Sequence, residues 1–444
     1  MDILKNFIDY IFSFEAYVLL PIILFIISLI FRISLKKAFE LSLIIGIGFL
    51  GIFMILDYFV ANIGPAIEAL AQHSGLQYNV LDIGWISFAA ITWSFYLTPL
   101  LIILVIVINL LMFVTGKTRT INVDIFNYWH FIFLARIVYE ATENALLSII
   151  ASLLLSIIAL KLADWSAGQV KEFTGLSGIS ITTICTIVYY PFALLVDQII
   201  NKIDFLKKID ADPEYLRKRL GLFGEPMLIG FIIGILLGIG AGYDLKATLG
   251  LAFSIAGVVY LLPVLAGVLS KGLMEVSEGV KAYVTEKFSG KEIYIGLDVA
   301  VLLSNSAIVV TGVLLMPIAL LLAFLIPGVN FIPLGDLSNL IGSAALAVII
   351  LRGNIFRAIL TFIPIIAGKL LVASRLSSFL TNLTLKENIV FEGYSGAITS
   401  FLDGGNLVRF WFLELFSGKW WPYLFLPLVV YLFYLARKKA NNVG

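Results

Sequence analysis

Long apolar runs broken by short polar ones fill this chain. The first, Ala16 to Phe31, stops at Arg32, Lys36 and Lys37, and the second runs from near Phe39 to near Ala61. A polar stretch from Asn62 to Gln77 follows, without Lys or Arg. Leu81-Asp82-Ile83-Gly84-Trp85 is too short and too Gly-broken to cross a bilayer. A third span, Trp93 to Val114, meets Lys117 and Arg119; Asn122 to His130 then sets polar residues inside an aromatic helix. Leu146 to Leu162 is another span. Ser177-Gly178-Ile179-Ser180 opens a short run broken at Pro191, and Asp197 leads to Lys202–Pro226, the longest charged stretch, almost at the midpoint.

The second half retraces the first. Leu35-Lys36 matches Leu245-Lys246, Leu81-Asp82 matches Leu297-Asp298, Asp124 matches Asp336, and Ser177-Gly178 matches Ser395-Gly396. The displacement stays between 210 (245 − 35) and 218 (395 − 177) residues. Four landmarks in register indicate an internal duplication, the pattern of transporters. Basic loops at Arg32–Lys37, Lys117–Arg119 and Lys202–Arg219, with Arg437-Lys438-Lys439, belong on the cytoplasmic side. In the second half the charge moves to Lys271–Glu292, the counterpart of the Lys/Arg-free stretch, so the halves carry opposite sidedness.

The predicted fold is an all-α polytopic membrane protein. It has two inverted repeats of about five transmembrane helices at ~20 apolar residues each, re-entrant segments, and a C-terminal helix at Trp420–Leu435. The predicted divisions are a first repeat (1–201), a cytoplasmic basic linker (202–221), a second, inverted repeat (222–418) and a C-terminal helix with basic tail (419–444). The N-terminus is expected on the outer face and the C-terminus in the cytoplasm.

Composition settles the class. Hydrophobic residues make up 61% and charged ones 13%, with mean hydropathy +1.04; soluble domains carry roughly 25% charge. Net charge is +1, which suggests no nucleic-acid partner. With Cys185 alone and only His73 and His130, no disulfide, metal site or cofactor is expected. No signal-peptide pattern opens the chain.

Carboxylates at membrane depth are costly and need a reason. Asp82 and Asp298 sit in matching Gly-flanked segments, which line a cavity or pack inside protein. They read as acceptors for substrate hydroxyls or as caps of re-entrant helices. The repeat places them opposite each other, so both are expected at one cavity. Asp124 and Asp336 read more as N-caps. His130 lies within an apolar helix and suits a hydroxyl, which both donates and accepts. Glu225 precedes Pro226 at a helix start, either for dipole pairing or for a site near Gly221 and Gly224. There is no GxSxG, phosphate loop or HExxH, so no catalytic nucleophile is recognisable in this chain.

Seven segments carry a resemblance: Gly48 to Pro65, INVDIFNYWH (Ile121–His130), FGEP (Phe223–Pro226), AGYDLK (Ala241–Lys246), GLD (Gly296–Asp298), PLGD (Pro333–Asp336) and RGNIF (Arg352–Phe356). Together the chain resembles, over nearly its whole length, the membrane subunit IIC of galactitol-type phosphotransferase systems. The resemblance implies uptake of a polyol or sugar across the bacterial cytoplasmic membrane, coupled to its phosphorylation. A soluble IIB subunit would supply the phosphoryl group from a phosphocysteine, charged through IIA, HPr and enzyme I. The superfamily implies a homodimer in which a core moves past a V-shaped dimerising domain, an elevator-type alternating access. Two positions depart from the family. Thr182-Thr183-Ile184 stands where the pattern has Pro-His-Gly, and Ser304-Asn305 where it has Gly-His. Both changes remove an imidazole, which leaves the substrate open among galactitol, other hexitols, pentitols and sugars; Thr183 and Asn305 still hydrogen-bond hydroxyls. The expected substrate-binding residues are Asp82, His130, Thr183, Glu225, Asp298 and Asn305. The competing reading is an ion-coupled secondary transporter of a small polar solute, with Asp298 or Glu225 carrying protons.

Overall fold

A computed structural model describes residues 16–73, 79–209, 211–287, 293–386 and 396–443. Ser395, one landmark of the duplication, lies outside the described residues, as do Gln77 and Glu292 at the ends of the two loops compared above.

Two helical hairpins open the two halves. α1 (Ala16–Ile30) pairs with α2 (Leu35–His73), and further along α9 (Pro226–Gly240) pairs with α10 (Leu245–Lys287). At a 1.5 Å rise per residue, α2 and α10 run roughly 58 and 64 Å, about twice the hydrocarbon core. The polar stretch after Ala61 and the charged stretch after Lys271 are thus largely helical continuations rather than loops. α2 and α10 pack antiparallel. Lys37 pairs with Glu275 at 2.5 Å near one end, and Tyr58 Oη lies 3.0 Å from Ser254 Oγ toward the other. Small residues let the backbones touch: a Cβ at Gly48 would stand 2.7 Å from Leu269 Cα, and one at Gly234 2.4 Å from Ala252 Cα.

Between the hairpins the first half continues β1 (Val80–Asp82), α3 (Gly84–Ser94), α4 (Thr98–Val114), β2 (Thr120–Asn122), α5 (Trp129–Thr142), α6 (Ala145–Thr174), β3 (Ile179–Ile181) and α7 (Tyr190–Asn201). A short helix α8 (Pro213–Leu220) occupies the basic linker. After α10 come β4 (Tyr294–Leu297), α11 (Ser306–Leu325), α12 (Leu340–Ile350), α13 (Ile355–Lys386), β5 (Ala397–Thr399), α14 (Leu407–Phe416) and α15 (Leu426–Val443). The third apolar run is not straight: α3 and α4 meet at 94°, and α4 carries most of it. The last helix begins at Leu426, after a 3₁₀ turn at Trp421–Phe425.

Among the described residues six helices are long and apolar enough to cross a membrane, or up to seven with the bent α3–α4 pair as one span. That is fewer than the eleven implied by the apolar runs, partly because α1 and α9, at 15 residues each, and α5 and α12, at 14 and 11, are short of a full crossing. The strands amend the all-helical expectation. β1 pairs with β5 and bridges to Phe331, and β4 lies between β2 and β3, every pairing parallel. Each half thus lends its first strand to the other half. The pairing satisfies the backbone polar groups that broken helices expose away from water.

Candidate functional site

A cavity of about 140 Å³ lies between α2 and the strand tips. An engineered cavity of about 150 Å³ takes up one benzene, so the enclosed space is on the scale of a small molecule. Its α2 wall is apolar, formed by Phe49, Ile52, Phe53 and Leu56. The opposite wall is polar and aromatic. Asn127, His130, Thr183, Asp298, Asn339 and Asp403 line it, with the rings of Trp85 and Trp129 stacked at 5.9 Å.

Two clusters organise that wall. In the first, Asp298 Oδ1 accepts from Ala300 N at 2.7 Å, capping the 3₁₀ turn that follows β4. Its Oδ2 accepts from Asn127 Nδ2 at 2.5 Å and from Thr183 Oγ1 at 3.4 Å. Asn127 also donates to Asp124 Oδ2 at 2.8 Å, and Val299 N donates to Thr183 Oγ1 at 3.0 Å. In the second, Arg409 Nη2 donates to Asp403 Oδ1 at 2.7 Å and approaches His130 Nδ1 at 2.6 Å. The same His130 Nδ1 lies 3.4 Å from Asp403 Oδ1, so the ring is held between the guanidinium and the carboxylate. Arg409 is 1% exposed, yet its charge meets Asp403 and the ring of Trp129. A second buried cation, Lys369, donates to Leu402 O at 3.2 Å and sits over the Tyr189 ring.

Of the residues expected from sequence, His130, Thr183 and Asp298 come together here. Asp82 lies off the lining. Its Oδ1 accepts from Gly84 N at 3.2 Å and Phe401 N at 3.1 Å, and its Oδ2 from Gly335 N at 3.0 Å, which ties three segments together. The expectation that Asp82 and Asp298 share one cavity therefore fails, because the Asp82 carboxylate is taken up by backbone donors. Asp336 does not cap its own 3₁₀ turn; it accepts across the fold from Trp85 N at 2.9 Å and Ser400 Oγ at 2.5 Å. Glu225 and Asn305 line a different cleft, with Phe173 and Arg352, where Asn305 Oδ1 caps α11 through Ala307 N at 2.9 Å.

Sequence reasoning passed over Asp403, Arg409 and Lys369. Each is a charge inside an apolar run, the signal that singled out Asp298, and a lone Lys or Arg at membrane depth carries the same implication. Asn127 and Trp129 stood in the aromatic INVDIFNYWH segment without being assigned to a site.

The model of the family described as "PTS system sugar-specific permease component" matches residues 10–393. The chain belongs to this family. It is therefore a multi-pass sugar-specific permease component of a phosphotransferase system. It is 32% identical over 423 residues to the PTS system galactitol-specific EIIC component of Escherichia coli (strain K12), covering 95% of this chain and 93% of that one. The protein of the same name from Escherichia coli O157:H7 matches equally. A permease IIC component of strain K12 is 32% identical over 409 residues, 92% of this chain and 93% of its own. The galactitol-type resemblance read from the seven segments agrees with these matches.

Proposed function

We propose that this permease binds a hexitol, galactitol or a close relative, in the cavity between α2 and the strand tips and releases it inward for phosphorylation by a IIB subunit. The observation that carries this reading is the two-sided cavity. A polyol is neutral and must exchange its water hydrogen bonds for protein ones, and charge-assisted partners make the stronger bonds. Asp298, Thr183 and Asn127 supply them on one side and His130, positioned by Arg409 and Asp403, on the other. The apolar α2 wall leaves room for the carbon chain.

Elevator motion fits the same geometry. The cavity lies at a seam between the α1–α2/α9–α10 hairpins and the strand-bearing core, so sliding one group past the other carries the site with the core. The antiparallel α2–α10 contact and the exchange of strands support an inverted repeat, with the divisions expected from sequence. Exposed apolar faces, such as Ile47 and Met54 on α2 and Phe253 on α10, suit lipid and the interface of a homodimer. Lys439 of the C-terminal helix shares a cleft with Lys207 and Lys208 of the linker, which supports a cytoplasmic C-terminus.

In the coupled step the S–P bond of the IIB phosphocysteine breaks, an O–P bond to the substrate hydroxyl forms, and the hydroxyl proton passes to solvent or to the cysteine thiolate released. This chain contributes position rather than a nucleophile. Labelled galactitol supplied to membrane vesicles with phosphorylated IIB tests the reading. Accumulation as galactitol phosphate supports it, whereas accumulation of free galactitol driven by a proton or sodium gradient overturns it.

A further inference from the structure

A second cleft, of about 680 Å³, opens where the linker meets the turn between α12 and α13. Five cations line it, Lys207, Lys208, Arg352, Arg357 and Lys439, against two carboxylates, Asp197 and Asp212. Both carboxylates are occupied. Asp197 Oδ1 accepts from Arg357 Nη1 at 2.6 Å, and Asp212 Oδ1 caps α8 through Glu214 N and Tyr215 N at 2.9 and 3.0 Å. Among the described residues the side chains of Lys208, Arg352 and Lys439 have no hydrogen-bond or ionic partner. The lining of this cleft therefore carries a positive excess, while Glu172, Glu214 and Glu225 line the adjoining clefts that Arg352 also reaches.

The cleft is built rather than incidental. Arg352 adopts φ +56°, a left-handed conformation disfavoured for a long side chain. The linker backbone is tied to the same turn, since Asn354 Nδ2 donates to Ile209 O at 3.0 Å and Ile355 N to Ala211 O at 3.1 Å. The side chain of Arg352 lines this cleft and two neighbouring ones, including that of Glu225 and Asn305. α12 joins the cleft to the transport cavity. Ile341 and Gly342 line the cavity and Ile350 and Leu351 the cleft, roughly 14 Å along the helix at 1.5 Å per residue.

We infer that this cleft binds a phosphate monoester, and that its ligand is the polyol phosphate formed from the transported substrate. The dianion would be held by Arg352, Lys208 and Lys439. The identity of the ligand rests on the transport reading above; the affinity for phosphate does not.

Titration of the purified full-length chain with sorbitol 6-phosphate, inorganic phosphate and galactitol, each at low and high salt, tests it. The expected result is sorbitol 6-phosphate binding that weakens with salt and falls about ten- to a hundredfold in Arg352→Gln, with galactitol binding unchanged. Lys208→Gln, an exposed linker substitution, should weaken it in the same direction. An unchanged unfolding temperature shows that either variant is folded. Wild-type affinity for sorbitol 6-phosphate in both variants overturns the proposal, as does no binding to the wild-type chain. Displacement of the ester by phosphatidylglycerol vesicles overturns it in favour of a lipid-headgroup site, and equal affinity for inorganic phosphate overturns the assignment to a polyol ester. If galactitol fails to bind while sorbitol 6-phosphate binds as expected, the transport reading falls and the cleft stands.

Discussion

Asp82 ends β1 and Asp298 directly follows β4, and each accepts a hydrogen bond from the backbone two residues on. There the likeness stops. Asp82 is 6% exposed and its other bonds come from the backbones of Phe401 and Gly335. Asp298 is partly exposed, lines the cavity, and is met by side chains, Asn127 and Thr183. Backbone donors are fixed by the fold, whereas side-chain donors can turn toward a ligand hydroxyl. Neighbouring residues account for the difference. Two residues after Asp82 stands Gly84, and one before Asp336 stands Gly335; a Cβ at Gly335 would lie 2.5 Å from Gly84 N. At the other end the same positions hold Ala300 and Val123. Glycines let one pair of turns close on itself, whereas at the other end the Asn127 side chain bridges Asp124 and Asp298.

The strongest way to break this comparison is to remove the Asp82 carboxylate. Asp82→Ala orphans three buried backbone donors at about 1–3 kcal/mol each, a loss of several kcal/mol even without full additivity. The unfolding temperature of the purified protein should fall sharply, and any folded remainder should bind galactitol normally. A stable Asp82→Ala protein that has lost binding would move the site to that end.

Next in size is the glycine contact. Gly335→Val should cost about 1–3 kcal/mol or more, since the added atoms meet backbone that cannot step aside. The reverse change, Ala300→Gly, should cost under about 1 kcal/mol, mostly through chain entropy. Thermal unfolding of both variants side by side measures the asymmetry, and equal losses would remove the packing explanation.

These two ends also mark how far the sequence could be read. The Asp-bearing turns could be singled out because they recur at steady spacing, and the apolar runs announced the membrane. Strands of three or four residues are too short to display a period of two, so the small parallel sheets were invisible. Asp82 and Asp298 looked alike because their chemistry is set by partners more than a hundred residues away: Gly335 and Phe401 for one, Asn127 and Thr183 for the other. Thr183 was found only through its departure from the family pattern. Arg409 and Lys369 stood in plain view as charges in apolar runs.

Asp298→Asn sharpens the comparison from the open side. The amide keeps the shape but removes the ionised acceptor, so galactitol affinity should drop by about 1.5–3 kcal/mol, ten- to a hundredfold. The unfolding temperature should move far less than in Asp82→Ala. Calorimetric titration and thermal unfolding on the same preparation separate the two effects; wild-type affinity would mean that Asp298, like Asp82, serves the fold alone.

A small effect is expected further along the chain, where α4 and α11 begin. α4 starts after Leu97, which makes no side-chain cap, and has Pro99 in its first turn. α11 starts after Asn305, whose side chain accepts from Ala307 N. The open half thus fixes its helix start with a polar side chain where the closed half uses a proline. Asn305→Ala should therefore cost about 1 kcal/mol of stability, the usual loss of an N-cap. Asn305 faces the cleft of Glu225 and Arg352 rather than the cavity beside α2, so galactitol affinity should stay within about twofold, under ~0.5 kcal/mol. The distinction is sharp because Leu303, two residues earlier, does line the cavity. A tenfold loss of galactitol binding in Asn305→Ala, at unchanged stability, would extend the polyol site along α11 and give this position the substrate contact that its place in the family pattern suggested.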